Sequence, residues 1–402
     1  MDVTLPDDVV DGTGGRIVML VLDGLGGLPR EPGGRTELET AATPNLDRLA
    51  RRAALGVHQP VGYGITPGSG PGHLALFGYD PVRYNIGRGV LSALGVDFAL
   101  EPGDVAVRLN FATVDAAGRI TDRRAGRPSD DVNRRLIALL RERVQAPAGV
   151  QVFFESEKEH RAVLVLRGSG LSADLGDTDP QEEGVAPLPV APKTPAARES
   201  AEVLQYVLDT ARAALSDEPV ANALLARGID AFHPYPSFEA RFRLRAEAIA
   251  RYPMYRGVAR LLGMEAQPGS ATDADSVATL RANYEAYDFH FVHFKAVDSR
   301  GEDGDFAAKA AAIEAVDALL PDVEALAPDV LVITGDHSTP SALRMHSWHP
   351  VPVMVASRWA RGSADAVFGE RACTAGELGI FPAMHLMTIA LAHAGRLAKF
   401  GA

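Results

Sequence analysis

Residues 16–22 read RIVMLVL, a continuous apolar run that breaks into Asp-Gly-Leu-Gly-Gly. A short run without alternation predicts a strand covered on both faces, the pattern of a parallel sheet. The pattern returns late in the chain, in Phe289–Phe294 (FHFVHF), Val330–Thr334 (VLVIT) and residues 351–356 (VPVMVA). Residues 306–320 space their apolar positions at helical intervals, and residues 374–394 predict a final helix. Near the start, Thr43-Pro44-Asn45 predicts a helix with Thr43 as N-cap and proline in the first turn. Residues 63–73 (YGITPGSGPGH) are dense in glycine and proline and predict a loop.

The middle of the chain patterns differently. Residues 104–115 and 118–122 predict a hairpin, 150–155 and 161–167 two further strands, and 129–144 and 196–214 helices. Residues 174–193, rich in acids and proline, predict a surface loop. Strands that pair with sequence neighbours make an α+β unit rather than continued βαβ winding. The expected architecture is a three-layer α/β/α domain with a mainly parallel sheet, formed by residues 1–88 and 280–402. An α+β cap domain, residues 89–279, is inserted between its halves.

Composition narrows the class. A chain of 402 residues, 47% hydrophobic and 23% charged, belongs with folded globular proteins rather than disordered ones. The net charge of −12 argues against nucleic-acid binding, which needs a basic footprint, but leaves room for a small anionic substrate held by local arginines and metal ions. The single cysteine, Cys373, cannot form a disulfide within the chain and points to a reducing compartment. The acidic N-terminus has no apolar leader and no apolar run reaches membrane-spanning length, so a cytoplasmic protein is expected.

The candidate chemistry sits where the apolar runs stop. Asp23 ends the first run; aspartate before glycine is common in turns, so alone it says little. Asp336-His337 ends VLVIT in the same way, and His346 follows within Met-His-Ser-Trp-His-Pro. An aspartate and three histidines within residues 336–349 favour a metal over isolated structural histidines. Residues 298–305 (DSRGEDGD) follow FHFVHF; Asp298 and Glu302 share a helical face there, although a solvated charge cluster has the same composition. Sites in α/β sheets lie at the carboxyl ends of strands, so these acidic segments are expected to converge. Ser69 lies between glycines that let backbone approach a phosphate, and a serine beside a metal can attack phosphorus.

The order Asp, Ser, Asp-x3-acid, Asp-His, His resembles the alkaline phosphatase superfamily. The strings ITPGSGPGHLALFGYDP, NFATVDAAGRITDRRAGR, ANALLARG, YPMYRGVARLLGM, VHFKAVDSRGEDGDF and VITGDHSTP resemble the archaeal-type 2,3-bisphosphoglycerate-independent phosphoglycerate mutases. The resemblance implies that Ser69 is a nucleophile that becomes phosphoserine while 3-phosphoglycerate and 2-phosphoglycerate interconvert. It implies one cation on Asp23, Ser69, Asp336 and His337, and another on Asp298, Glu302 and His346. The expected cations are two divalent ions, Mn²⁺ first, with Mg²⁺, Zn²⁺ or Co²⁺ as alternatives. Arg88, Arg123, Arg124, Arg127 and Lys295 are the substrate-binding candidates, because arginine forks suit phosphate and carboxylate.

Two positions depart from that pattern. Glu302 stands where the family has histidine, which adds a negative charge to one metal site, and Asp303 is a competing ligand. Gly70-Pro71-Gly72 replaces the usual Asp-Thr-Ala after the serine. The alternatives are therefore a phosphatase or phosphonate hydrolase, another phosphomutase, or a degenerate paralogue that binds a phosphorylated metabolite without turnover. The partner is a small phosphorylated metabolite, not nucleic acid or membrane, and either a monomer or a small homo-oligomer fits.

Overall fold

The computed structural model describes residues 5, 6, 9–84 and 86–401. Its strands in chain order are β1 (Ile17–Leu22), β2 (Ala53–Gln59), β3 (Val105–Val114), β4 (Ile120–Asp122), β5 (Gln151–Lys158), β6 (Arg161–Arg167), β7 (Ala223–Ala231), β8 (Ala246–Ile249), β9 (Glu265–Ala266), β10 (Phe289–Phe294), β11 (Val330–Thr334), β12 (Val351–Ser357) and β13 (Gly379–Pro382). Two compact units hold them: Met1–Asn85 with Pro236–Ala402, and Ile86–Tyr235.

The first unit is built on an eight-stranded sheet in the order β13-β2-β12-β11-β1-β10-β8-β9. All its pairings are parallel except those of β12, which runs against β11 and β2. Every residue of β1, β10 and β11 is buried, so packed layers cover both faces, as their continuous apolar runs require. Val18, Leu20 and Leu22 of β1 share one core with Val292, Phe294, Leu331 and Ile333 of the neighbouring strands and with the helical residues Leu280, Ile313 and Val316. The fold is mixed α/β with a mainly parallel sheet.

Several expectations are corrected here. β8 pairs with β10 from Ala246↔Phe289 to Ile249↔Val292, so the chain rejoins this unit at residue 236, not 280. The helix expected over 374–394 is interrupted: β13 joins β2, and only Leu386–His393 is α-helical beyond it, because Gly379 takes φ +62 and Pro382 cannot continue a helix. Residues 69–76 are helical rather than loop. Pro71 falls in the first turn, where no helical N–H bond is lost. Thr43 precedes its helix without a side-chain cap; Asp317 instead accepts from the Leu46 N–H at 2.7 Å.

The second unit is a five-stranded antiparallel sheet with β3 at its centre, β6 on one side and β7 on the other. The helices Asp130–Arg143 and Arg198–Ala214 send Leu136, Ile137, Leu140, Leu204 and Val207 into one core with β3 and β6. Ser129 caps the first of them, accepting from the Val132 N–H. Among the described residues no helix is long and apolar enough to cross a membrane.

Candidate active site

Parallel register brings the acidic segments together. Leu22 lies beside Phe294 and Val21 beside Thr334, so β1, β10 and β11 end at one level. Asp23 follows β1, the helix Ala296–Asp303 carrying Asp298 and Glu302 follows β10, and Asp336-His337 follows β11. Gly24 takes φ +65, and a Cβ there would meet Thr339 Oγ1 at 2.6 Å and Asp298 Oδ1 at 2.8 Å. Only glycine lets the Asp23 loop lie this close to its neighbours.

Asp23 is fully buried and asymmetrically held. Its Oδ2 accepts from the Tyr255 hydroxyl, from His293 Nε2 at 3.0 Å and from Lys295 Nζ at 3.1 Å, whereas Oδ1 has no hydrogen-bond partner. In Asp336, Oδ1 accepts from the Gly24 N–H at 3.1 Å and Oδ2 lies 3.1 Å from His73 Nδ1. Asp23 Oδ1 and Asp336 Oδ2 both lie 3.3 Å from His337 Nε2, and Ser69 Oγ lies 3.1 Å from that nitrogen.

The hydrogen bonds define the tautomer of His337. The Thr339 hydroxyl donates to Asp298 Oδ1 at 2.6 Å, so it accepts from His337 Nδ1 at 3.0 Å. Nε2 then carries a lone pair that faces two carboxylate oxygens with no proton between them. Such a group is repulsive by itself and is what a cation relieves. His346 donates through Nδ1 to the Pro67 carbonyl at 2.9 Å and stacks on His337 at 3.7 Å. Its Nε2 lies 3.6 Å from Asp298 Oδ1 and 3.8 Å from Glu302 Oε1. The donor atoms of Asp23, Asp336 and His337 lie within 4.8 Å of one another, as do those of Asp298, His337 and His346. Glu302 stands outside both groups with a half-exposed side chain, and Asp303 is exposed and pairs with Arg300 at 3.2 Å.

Lys295 and the histidines offset part of the cluster's negative charge. Burial opposes ionisation of Asp23, but Lys295 and His293 outweigh it and hold the carboxyl well below the usual carboxylate range. Burial and the charge of Asp23 likewise oppose ionisation of Asp336, and His337 and His73 overcome them. Burial pushes His337 down despite the carboxylates around it, which suits a neutral imidazole ligand. Lys295, held by Asp23 and by Asp298 at 2.5 Å, is raised against its burial. Burial and the neighbouring Asp298 raise Glu302.

Sequence reasoning did not single out His73, His293, Tyr255 or Thr339. His73 Nδ1 donates to the Ser69 carbonyl at 2.8 Å from the next turn of the same helix, and Tyr255 stacks on His293 at 3.7 Å. His293 and Tyr255 sit in patterns that read as core; the signal available was a histidine inside an otherwise apolar strand. The Gly-Pro-Gly departure has a local reason. A Cβ on Gly72 would lie 2.6 Å from the Asp336 carbonyl, so this helix packs closer to the Asp336 loop than alanine allows.

The arginine candidates all lie in the second unit. Arg123 is engaged there, bidentate on Asp179 at 2.9 and 2.8 Å. Arg88 is among the charges acting on Arg108, with Arg161, Arg227 and Glu157. Arg124 and Arg127 act on His160, which burial and surrounding arginines push down to about 4.

Fold and site together define a class: a mixed α/β protein with a serine hydroxyl beside carboxylates and imidazoles suited to divalent cations. Residues 50–221 match the family profile of 2,3-bisphosphoglycerate-independent phosphoglycerate mutase. A Thermus thermophilus protein named "probable 2,3-bisphosphoglycerate-independent phosphoglycerate mutase" is 48% identical over 399 residues, covering 98% of each chain. A Deinococcus radiodurans protein of the same name is 47% identical over 97% of each. Among solved structures, a Pyrococcus horikoshii protein superposes with a TM-score of 0.82 at 28% identity over 97% of this chain and 100% of its own. A cofactor-independent phosphoglycerate mutase from Thermoplasma acidophilum gives 0.71 at 30% identity over 94% and 100%. The chain belongs to the 2,3-bisphosphoglycerate-independent phosphoglycerate mutase family.

Proposed function

We propose that the protein interconverts 3-phosphoglycerate and 2-phosphoglycerate through a phosphoserine on Ser69, with two divalent cations bound. The observation that carries this reading is the convergence of two buried carboxylate oxygens, Asp23 Oδ1 and Asp336 Oδ2, on His337 Nε2 beside the Ser69 hydroxyl, with Asp23 Oδ1 accepting no hydrogen bond. Asp23, Ser69, Asp336 and His337 would hold one cation, and Asp298, Glu302 and His346 the other. Mn²⁺ suits this mixture of carboxylate and imidazole. When bound, the cations lower the proton affinity of the serine hydroxyl and neutralise the phosphoryl oxygens.

The chain's own groups do the rest. Ser69 Oγ forms a bond to phosphorus as the bond from phosphorus to the substrate 3-oxygen breaks, and the serine proton ends on that oxygen. The glycerate 2-hydroxyl then attacks the phosphoserine and its proton returns to Ser69. Tyr255, His293 and Lys295 fix Asp23, and Thr339 fixes His337 and Asp298, so the donors do not reorganise between the half-reactions. In the second unit Arg88 and Arg161 lie near Arg108, and Arg227 beside them pairs with Asp179 at 3.3 Å; guanidinium groups of this kind suit the carboxylate and phosphate of glycerate esters. Asp122 braces the segment carrying Arg124 and Arg127, accepting from the Arg124 and Gly126 N–H groups at 2.7 and 2.6 Å, and Arg127 is held at φ +52. Arg123 is paired with Asp179 and orders this surface.

Protein stripped by chelator and reloaded with Mn²⁺ should convert 3-phosphoglycerate to 2-phosphoglycerate with no phosphate release. Release of phosphate without isomerisation would place it with the phosphatases. Binding of fewer than two cations per chain, with no turnover, would support the degenerate paralogue.

A further inference from the structure

One buried charge plays no part in the chemistry above. Lys309, on the helix Phe306–Asp317, has no exposed surface. Its ammonium donates to three backbone carbonyls, Gly24 at 2.9 Å, Gly26 at 3.0 Å and Thr339 at 2.8 Å. An ammonium has three N–H donors, so its capacity is filled by these acceptors. Gly24 follows Asp23, and Thr339 orients both His337 and Asp298. A single cation thus ties together the two strand-end segments that carry the metal-site donors.

One buried acid, Glu37, and one partly buried acid, Glu370, complete the arrangement. Glu37 accepts from the Leu28 N–H at 3.2 Å and from the Ser341 N–H and hydroxyl at 2.8 and 2.6 Å. Glu370 accepts from the Gly27 N–H at 3.0 Å and from the Thr36 hydroxyl at 2.5 Å. The segment after Asp23 is therefore gripped on its carbonyls by Lys309 and on its amides by Glu37 and Glu370. The segment after His337 is gripped by Lys309 and Glu37. A buried charge is costly to desolvate, and that cost is offset here because the ammonium satisfies three buried carbonyls at once. Packing alone does not account for a lysine here.

We infer that Lys309, braced by Glu37 and Glu370, is a positioning residue that sets the distance between the Asp23 and Asp336-His337-Thr339 segments and so the cation affinity of the site. The inference rests on the two-cation reading. Its test is Mn²⁺ titration of the apo protein followed by electron paramagnetic resonance, with far-UV circular dichroism confirming the fold. Lys309→Met keeps the length of the side chain and removes its donors. It is expected to weaken Mn²⁺ binding by about tenfold or more, in the range for groups that orient metal ligands. Ile313→Ala, a cavity one turn along the same helix, is expected to lower the melting temperature yet leave Mn²⁺ affinity unchanged. Should Lys309→Met not fold, Lys309→Gln, whose amide still donates two hydrogens, is expected to weaken binding in the same direction. Wild-type affinity in the Lys309 variant, or equal weakening in Ile313→Ala, would overturn the inference. A wild type that binds no Mn²⁺ would overturn the two-cation reading with it.

Discussion

Glu302 adds a carboxylate beside Asp298 and His346, and its surroundings show the consequence. Its carboxyl is raised by burial and by Asp298, so it ionises reluctantly beside the charge it would have to join. It also stands 3.8 Å from His346 Nε2 with more than half its side chain exposed. Replacing it with a neutral imidazole removes one negative charge while keeping a donor on the same helical face. Glu302→His should tighten Mn²⁺ binding and raise turnover, whereas Glu302→Ala should lower both; calorimetric titration alongside the isomerisation assay reads the two effects. Unchanged affinity in both variants would show that residue 302 is not a ligand. Asp303, the competing candidate, is already committed to Arg300.

The segments after β1 and β11 hold the site by buried polar contacts, and these carry a pH signature. Burial raises Glu370 from its ordinary 4.5 to about 7. A carboxyl whose folded pKa is raised binds a proton more tightly when folded. Its contribution is then complete below about 4.5 and is lost as pH rises through about 7. The difference amounts to at most about 3 kcal/mol. Denaturant midpoints at pH 5 and pH 7.5 should therefore differ more in wild type than in Glu370→Gln, with wild type relatively favoured at pH 5; an equal pH dependence in both would refute this. The elements were legible in proportion to how completely they are buried. β1, β10 and β11 announced themselves as apolar runs because both faces are covered. β8 (AEAI) did not, because Glu247 is buried in it, bonded to His290 at 2.6 Å and Asn283 at 2.8 Å, and this breaks the apolar pattern. The helix at Ser69 was hidden by glycine and proline, whose places in its first turn cost little.

Across the whole molecule, the site is drawn from positions as far apart as Asp23 and His346, yet its inner residues could be read from sequence. Each stands where a buried strand stops, and parallel strands bring such stops to one edge. The residues that hold them could not be found in this way. Tyr255, His293 and Lys309 look like an aromatic helix position, a core strand position and a surface lysine until the packing places their polar atoms. Arg123 pairs with Asp179, a partner that spacing along the sequence does not reveal. In the proposed mechanism Ser69 carries the phosphoryl group. Mn²⁺-loaded protein mixed with 3-phosphoglycerate, quenched in acid within the first turnovers and mapped by peptide mass spectrometry, tests it directly. The expected result is phosphate on the peptide containing Ser69, with both the label and isomerisation lost in Ser69→Ala. Isomerisation at the wild-type rate in Ser69→Ala would contradict it.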